Sequence, residues 1–291
     1  MYKPSVLINI VLYHPDNSKI LNLIEICLRY ENSQILLFDN TEDSQAFECA
    51  NKDIILFKSF QNVGVGGAHY LACQMAEDKE FEFVLFLDQD SQLSEGFITD
   101  MISGFYRLKN LHPRLCAIGP TWQDPELKNS KTRKLKDRLR NLLKAPNLKQ
   151  VLISSGMLVW VPTLKHIGYP KKEFFIDLVD TEWCLRALYK NYQIVMLPEV
   201  FMQHRIGEVK KINKVFVQYE QPIRYYYSIR NSFLLFHEKN ILFSHKIFIL
   251  FGNLFKLRKI IFSPQPLRSL LAALRGIIDG FLIKKNRTDL Y

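Results

Sequence analysis

The chain has 291 residues, 48% of them hydrophobic and 23% charged, with a formal net charge of +10. This excludes a disordered or collagen-like chain and leaves room for one large domain or two smaller ones. The charge is uneven: residues 126–149 hold nine Lys and Arg against Glu126 and Asp137, residues 221–291 hold twelve against Glu238, Asp279 and Asp289, and the rest is acidic by six charges. A nucleic-acid binder is typically basic across its folded core, so no nucleic-acid partner is expected.

The cysteines stand at 27, 49, 73, 116 and 184, odd in number and without a C-x-x-C pair. That argues against a disulfide framework or a zinc knuckle and for a reducing compartment. No apolar run in the sequence reaches the roughly 18 residues that a spanning helix needs, and the start reads as a first strand without a cleavage site. The expected location is the cytoplasm.

Along the first half, apolar runs at 6–12, 34–38, 54–57, 83–87 and 115–118 have little period-2 alternation, as strands buried on both faces do. Between them, 17–30, 67–77 and 95–109 carry apolar residues at helical spacing. That order predicts an α/β fold with a mainly parallel sheet, in which ligands bind at the carboxyl ends of the strands. The basic segment 126–149 interrupts the pattern and reads as a surface helix or loop. After it come an apolar run at 151–160, an acidic stretch at 174–186, and a strand pair at 194–197 and 200–202 that leads to His204. From about 216 the chain reads as a basic helical tail, broken at Pro264 and Pro266. The expected organisation is a catalytic domain over 1–215 and this tail over 216–291.

Two strand ends stop on acids, at Asp39-Asn40 and at Asp88-Gln89-Asp90-Ser91. Carboxylates at i and i+2 just past a buried strand can present oxygens to a hard cation such as Mg²⁺ and leave room for substrate phosphates. They can equally end the strand and cap the next helix. His204 gains a metal role only beside such a pair. Asp177, Asp180 and Glu182 precede an amphipathic helix, where first-turn acids ordinarily cap; the chemistry needs only one of them as a general base. Arg186 lies four residues after Glu182, the spacing of an intrahelical pair. The run Asn62-Val63-Gly64-Val65-Gly66-Gly67-Ala68-His69 places His69 where a dinucleotide loop has its third glycine, and no P-loop exists. Its glycines still allow close backbone approach to a nucleotide.

In the segment 241–262, Lys246, Asn253, Lys256 and Lys259 fall on one side of a helical projection, while Phe243, Ile247, Leu250, Phe251, Leu254 and Ile261 fall on the other; Arg258 breaks the pattern. A basic amphipathic helix of this kind suits an anionic membrane surface, and a helix packed on the main domain is the alternative.

In this order the motifs resemble the inverting nucleotide-sugar glycosyltransferases of the large bacterial family 2, most closely its rhamnosyltransferase branch. The resemblance spans about residues 5–240. It is carried by Asp39-Asn40, Asn62-Val63-Gly64, Asp88 to Ser91, Ser155-Gly156, Phe175 to Arg186, and His204 to Gly207, with Arg224-Tyr225-Tyr226-Tyr227 and Arg230-Asn231 behind them. Tyr70 stands where the family often has Asn. The resemblance implies a GT-A-like nucleotide-sugar-binding domain with Asp39 and Asn62 at the donor and Asp88 at its ribose or the metal's water shell. It also implies Asp90 and His204 on Mg²⁺ or Mn²⁺, and Asp180 as general base. Ser155, Asp177, Glu182 and Arg186 would be acceptor or supporting residues. The expected function is metal-dependent transfer of L-rhamnose from dTDP-L-rhamnose to a lipid-linked glycan such as O-antigen or capsule, by an enzyme peripheral on the inner face of the membrane. The alternatives are a UDP-galactofuranose or other UDP-hexose donor and, from another class, a non-catalytic membrane-surface adaptor.

Overall fold

The computed structural model describes residues 3–42, 51–123, 151–203, 208–212 and 215–286. The basic segment 126–149, His204 and Cys49 lie outside the described residues. Two compact units result, one holding the described residues up to 203 except 176–178, the other holding 176–178 and everything from 208.

The first unit opens with β1 (Val6–Leu12), α1 (Asn17–Leu28), β2 (Ser33–Asp39), β3 (Ile54–Lys58), α2 (Gly64–Asp78), β4 (Phe83–Asp88), α3 (Phe97–Leu111) and β5 (Leu115–Gln123). The rest is β6 (Leu158–Trp160), the short helix α4 (Leu164–Ile167), α5 (Val179–Tyr189) and β7 (Gln193–Gln203). The sheet order is β3-β2-β1-β4-β6-β5-β7, and every pairing is parallel except those of β6 with β4 and β5. All five early strands form where the apolar runs predict them, in the mainly parallel α/β sheet the sequence implies.

Strand side chains alternate between two cores. Val6, Ile8, Ile10, Leu12, Phe83, Leu85 and Leu87 meet Ile20, Leu23 and Ile24 of α1 and Phe97, Met101 and Phe105 of α3. Leu7, Val84 and Phe86 meet Ala72, Cys73 and Ala76 of α2 and Trp183, Cys184 and Ala187 of α5. Both faces of the sheet are thus covered, which explains why its strands read as unbroken apolar runs. Cys27, Cys73, Cys116 and Cys184 are buried and free, and burial pushes the Cys27 and Cys116 thiols up to about 12.

Two expectations change. The strand pair at 194–202 is one strand, β7, which accommodates Pro198 and Glu199 through a register shift opposite Pro120 and Thr121. The tail is not helical from 216: β8 (Glu208–Ile212) and β9 (Val215–Tyr219) form an antiparallel hairpin first. Helices follow as α6 (Pro222–His237), α7 (Phe243–Lys256), a 3-10 stretch (Leu257–Phe262) and α8 (Pro266–Asn286).

In the amphipathic segment 241–262 two residues of the polar side, Lys246 and Asn253, turn inward, while Lys256 is exposed. Lys246 is buried and its Nζ donates to the carbonyls of Phe236 and Glu238 at 3.3 and 2.5 Å, beyond the C-terminal turn of α6. Burial pulls its ammonium below the ordinary lysine value, and Glu238 partly offsets this. Asn253 is buried as well, donating to the Ser228 carbonyl at 3.2 Å and to Ser232 Oγ at 2.7 Å. Phe243, Phe251, Phe255 and Ile261 are exposed. Among the described residues, no helix is long and apolar enough to cross a membrane.

Candidate active site

The sheet order reverses at β1: the chain continues to β2 and β3 on one side and to β4 on the other. A crevice outside the carboxyl ends of the strands at such a point is where α/β sheets bind ligands. Two of the predicted acids end there. Asp39, the last residue of β2, stands in register with Leu12, and Asp88, the last residue of β4, stands in register with Val11.

Asp39 is buried, and its Oδ1 accepts the Thr41 N–H at 2.9 Å. Beside it, Asn40 is also buried and organises the glycine loop: its Oδ1 accepts from Val63 N–H at 3.1 Å, and its Nδ2 donates to the Gly64 carbonyl at 3.3 Å. Asn62 closes the loop on itself by accepting the Gly64 N–H at 2.9 Å. Gly64, at φ +69°, starts α2 against the backbone of Phe175, where an added Cβ would lie 2.4 Å from the Phe175 oxygen. Gly66 N–H then donates to that same carbonyl at 2.8 Å. These contacts explain why helix α2 begins at 64, ahead of the predicted 67. We expect Gly64→Ala to destabilise the fold by about 1–3 kcal/mol and to weaken nucleotide binding; a denaturation midpoint equal to wild type would contradict the packing.

His69 is not a site residue. It is buried on α2 with Nδ1 3.0 Å from Asn9 Nδ2 and its ring 4.1 Å from that of Phe86, and burial lowers its imidazole to about 3, so it stays neutral.

The Asp88–Ser91 turn is held at three points. Ser91 N–H donates to the Asp88 carbonyl, and Asp88 N–H donates to Ser91 Oγ, each at 3.0 Å. Gln89 pairs its amide with the backbone of Tyr13 just past β1, accepting at 2.7 Å and donating at 3.0 Å. Ser91 Oγ lies 2.8 Å from the buried Ser155 Oγ. Ser155 is therefore a positioning residue behind the acid turn. Asp88 is half-buried and Asp90 exposed.

Asp180 lies in the first turn of α5, half-buried. Its Oδ2 accepts the Ser154 N–H at 3.0 Å; its Oδ1 accepts Thr181 N–H at 2.6 Å and Thr181 Oγ1–H at 3.2 Å. The turn 154–156 thus holds both acid elements through neighbouring residues, Ser154 on Asp180 and Ser155 on the Asp88–Ser91 turn. The turn itself is pinned to β4 by Gly156 N–H on the Phe86 carbonyl at 2.8 Å, with Gly156 at φ +85°.

Glu182 faces the other way. It is fully buried and receives Arg186 through Nε and a terminal nitrogen at 2.8 and 2.9 Å, while Arg186 also donates to the Ile167 and Tyr169 carbonyls at 2.5 and 2.9 Å. This pair fastens α5 to the 164–169 segment and lies in the core. Asp177 belongs to the second unit, where Arg224 of α6 binds its carboxylate and Asn231 Nδ2 donates to the carbonyls of Ile176 and Asp177, both at 2.8 Å. Asp177 and Leu178 have φ near +60°, a conformation costly for non-glycine residues that these bonds hold in place.

Among the described residues no group of three His, Cys, Asp or Glu is placed to hold a metal. Asp88 and Asp90 supply two carboxylates, fewer than an all-protein cage needs; Mg²⁺ is ordinarily held by one or two carboxylates together with phosphate oxygens and water. Sequence reasoning missed Asn40, Gln89 and Ser154 as supporting residues. The signal for the first two was their place inside the acidic motifs; Ser154 acts through its backbone, for which no sequence signal exists.

No family model matches the chain. It is 29% identical over 242 residues to dTDP-rhamnosyl transferase RfbF of Shigella flexneri, covering 80% of each protein. Among solved structures it is similar to the S. aureus TarS fragment 1–349 in complex with UDP, with a TM-score of 0.54 and 14% identity, covering 99% of this chain and 92% of that one. Against a longer TarS chain the TM-score is 0.54 at 14% identity over 90% of this chain, which spans only 44% of TarS. The likeness to TarS is one of fold, a GT-A-like α/β sheet.

Proposed function

We propose that this chain, a rhamnosyltransferase-like glycosyltransferase of family 2 by its curated relative and its fold, transfers L-rhamnose with inversion from dTDP-L-rhamnose to a lipid-linked surface glycan. The observation that carries the reading is the 154–156 turn, which holds a single carboxylate, Asp180, on one side and the Asp88–Ser91 turn on the other. On this reading the general base and the phosphate-side acids lean on adjacent residues of one short turn.

In this reading Asp39 accepts from the pyrimidine base, and the loop from Asn62 to Gly66 lets its backbone approach the nucleotide. Asp90 would hold Mg²⁺ or Mn²⁺, with Asp88 at the ribose or the cation's water shell and His204 as a further ligand. When bound, the cation neutralises charge growing on the diphosphate leaving group. Asp180 takes the proton of the acceptor hydroxyl as its oxygen bonds to the anomeric carbon from the face opposite the leaving group. The bond from that carbon to the diphosphate oxygen breaks, the configuration inverts, and the proton resides on Asp180 until solvent removes it. A carboxylate suffices because the hydroxyl becomes acidic only as the new bond forms.

The test is release of nucleotide from a panel of dTDP-L-rhamnose, UDP-galactofuranose and UDP-hexoses with Mn²⁺. We expect turnover of dTDP-L-rhamnose, its loss on chelation, and its loss in Asp90→Ala with the melting temperature retained. Preference for a UDP-sugar would move the assignment to that donor, and no metal-dependent nucleotide binding at all would favour a non-catalytic adaptor.

A further inference from the structure

The second unit has its own apolar core around Tyr225, Ile229, Ile260 and Ala273, yet leaves large apolar side chains of its last helix outside. In α8 the fully buried residues are Ser269, Ala273, Gly276 and Gly280, with Ile277 partly buried against the core beside them. The two glycines allow close approach to α6: a Cβ on Gly276 would lie 2.5 Å from the Tyr226 carbonyl oxygen, and one on Gly280 would lie 2.8 Å from Phe233 Cβ. Small residues on the packed side and large apolar ones on the outside are the arrangement of helices that associate where the surroundings are themselves apolar.

The outer side fits that description. Leu267, Leu271, Leu274 and Ile278, spaced as one helical stripe, are between 47% and 68% exposed, and Phe281 continues the stripe at 61%. Arg268 and Arg275, seven residues apart, run along the edge of this stripe about 80–100° around the helix. The same inversion recurs in α7, where buried Lys246 and Asn253 lie opposite exposed Phe251 and Phe255, and the exposed Arg258 stacks 3.7 Å over the Phe255 ring.

Water does not favour an apolar surface of this extent, so something covers it. Two coverings are physically open, a second copy of the chain and a lipid surface, and charge separates them. Residues 221–291 carry twelve Lys and Arg against three acids. Of the acids, Glu238 is buried and Asp279 is taken up by Tyr226 and Arg275. Two such surfaces face to face repel, whereas an anionic bilayer attracts them while its acyl boundary takes the leucines. Arginines at the border of an apolar stripe are also where an in-plane helix meets phosphate headgroups. The helix is long enough at 21 residues but not apolar enough to cross a membrane.

We infer that α8 lies in the plane of an anionic membrane surface, with Leu267, Leu271, Leu274 and Ile278 in the acyl boundary and Arg268 and Arg275 at the phosphates. The exposed aromatic face of α7 adds to the contact, and Lys246 takes no part in it. The inference uses residues of the second unit alone, so it stands or falls separately from the donor assignment.

The test is co-sedimentation of the full chain with phosphatidylcholine vesicles with and without phosphatidylglycerol, alongside donor hydrolysis and circular dichroism. Binding should require phosphatidylglycerol and weaken with salt. Leu274→Asp with Ile278→Asp should cut the bound fraction about tenfold or more while hydrolysis of free donor and the dichroism spectrum stay as in wild type. Arg268→Glu with Arg275→Glu should remove the preference for phosphatidylglycerol, and this pair decides the matter if the aspartate pair fails to fold. Wild-type protein that ignores both vesicle types, aspartate or glutamate variants that bind like wild type, or a solution dimer that the aspartate pair dissociates would each overturn the inference.

Discussion

Asp180→Asn is expected to lower rhamnosyl transfer by about 10²–10⁴-fold, the usual contribution of a positioned general base, with little change in melting temperature. The amide keeps the shape of the carboxylate, and its oxygen can still accept from Thr181 N–H, while the Ser154 N–H at 3.0 Å loses its acceptor. What disappears is the capacity to take a proton. Donor affinity, read by nucleotide displacement, should therefore stay near wild type while the turnover number falls, which separates loss of a base from loss of a scaffold. Near-normal turnover in this variant would remove Asp180 from the mechanism.

Six residues further along the same helix the expected effect is on stability. Arg186→Leu strips the fully buried Glu182 of both its hydrogen bonds and leaves the Ile167 and Tyr169 carbonyls without this donor. Lys171 Nζ, at 4.0 Å from Glu182, is too distant to replace it. Removing one partner of a buried pair costs about 3–5 kcal/mol, a large part of the 5–15 kcal/mol that holds a domain folded. The denaturation midpoint should drop accordingly. Glu182→Met combined with Arg186→Leu should recover much of the loss, because no buried charge remains. A single variant with the wild-type midpoint would show that the pair contributes little.

Asp180 and Glu182 illustrate how far the sequence could be read. Both are acids in a first helical turn, and the sequence offers both as candidates for the base. Only packing separates them, since one carboxylate is half-exposed on the 154–156 turn and the other is fully enclosed. The strands of the first unit were legible because burial on both faces demands continuous apolar runs, as in Val6–Leu12 and Phe83–Asp88. Strand β7 was misread as two because Pro198 and Glu199 carry the usual mark of a turn. Strand β6, only three residues long, was hidden in a longer apolar run. In the tail, the helical projection of 241–262 could not tell which residues face inward: Lys246 and Asn253 of the polar side do, and so does Leu254 of the apolar side. A helix wheel defines two sides; the neighbours decide their orientation, and here the Phe236 and Glu238 carbonyls claim Lys246.

The reversed direction of β6 bears on how such an enzyme can change over generations. Strand β5 ends at Gln123 on the carboxyl edge of the sheet, and because β6 is antiparallel to both of its neighbours it also starts from that edge. The chain therefore leaves β5 and enters β6 at the same rim, where Asp39 and Asp88 terminate their strands. Were β6 parallel, the connection would have to cross to the opposite rim and back a face of the sheet. As it is, the length of chain between β5 and β6 can change without altering any strand pairing, and the strand ends that carry Asp39 and Asp88 keep their places.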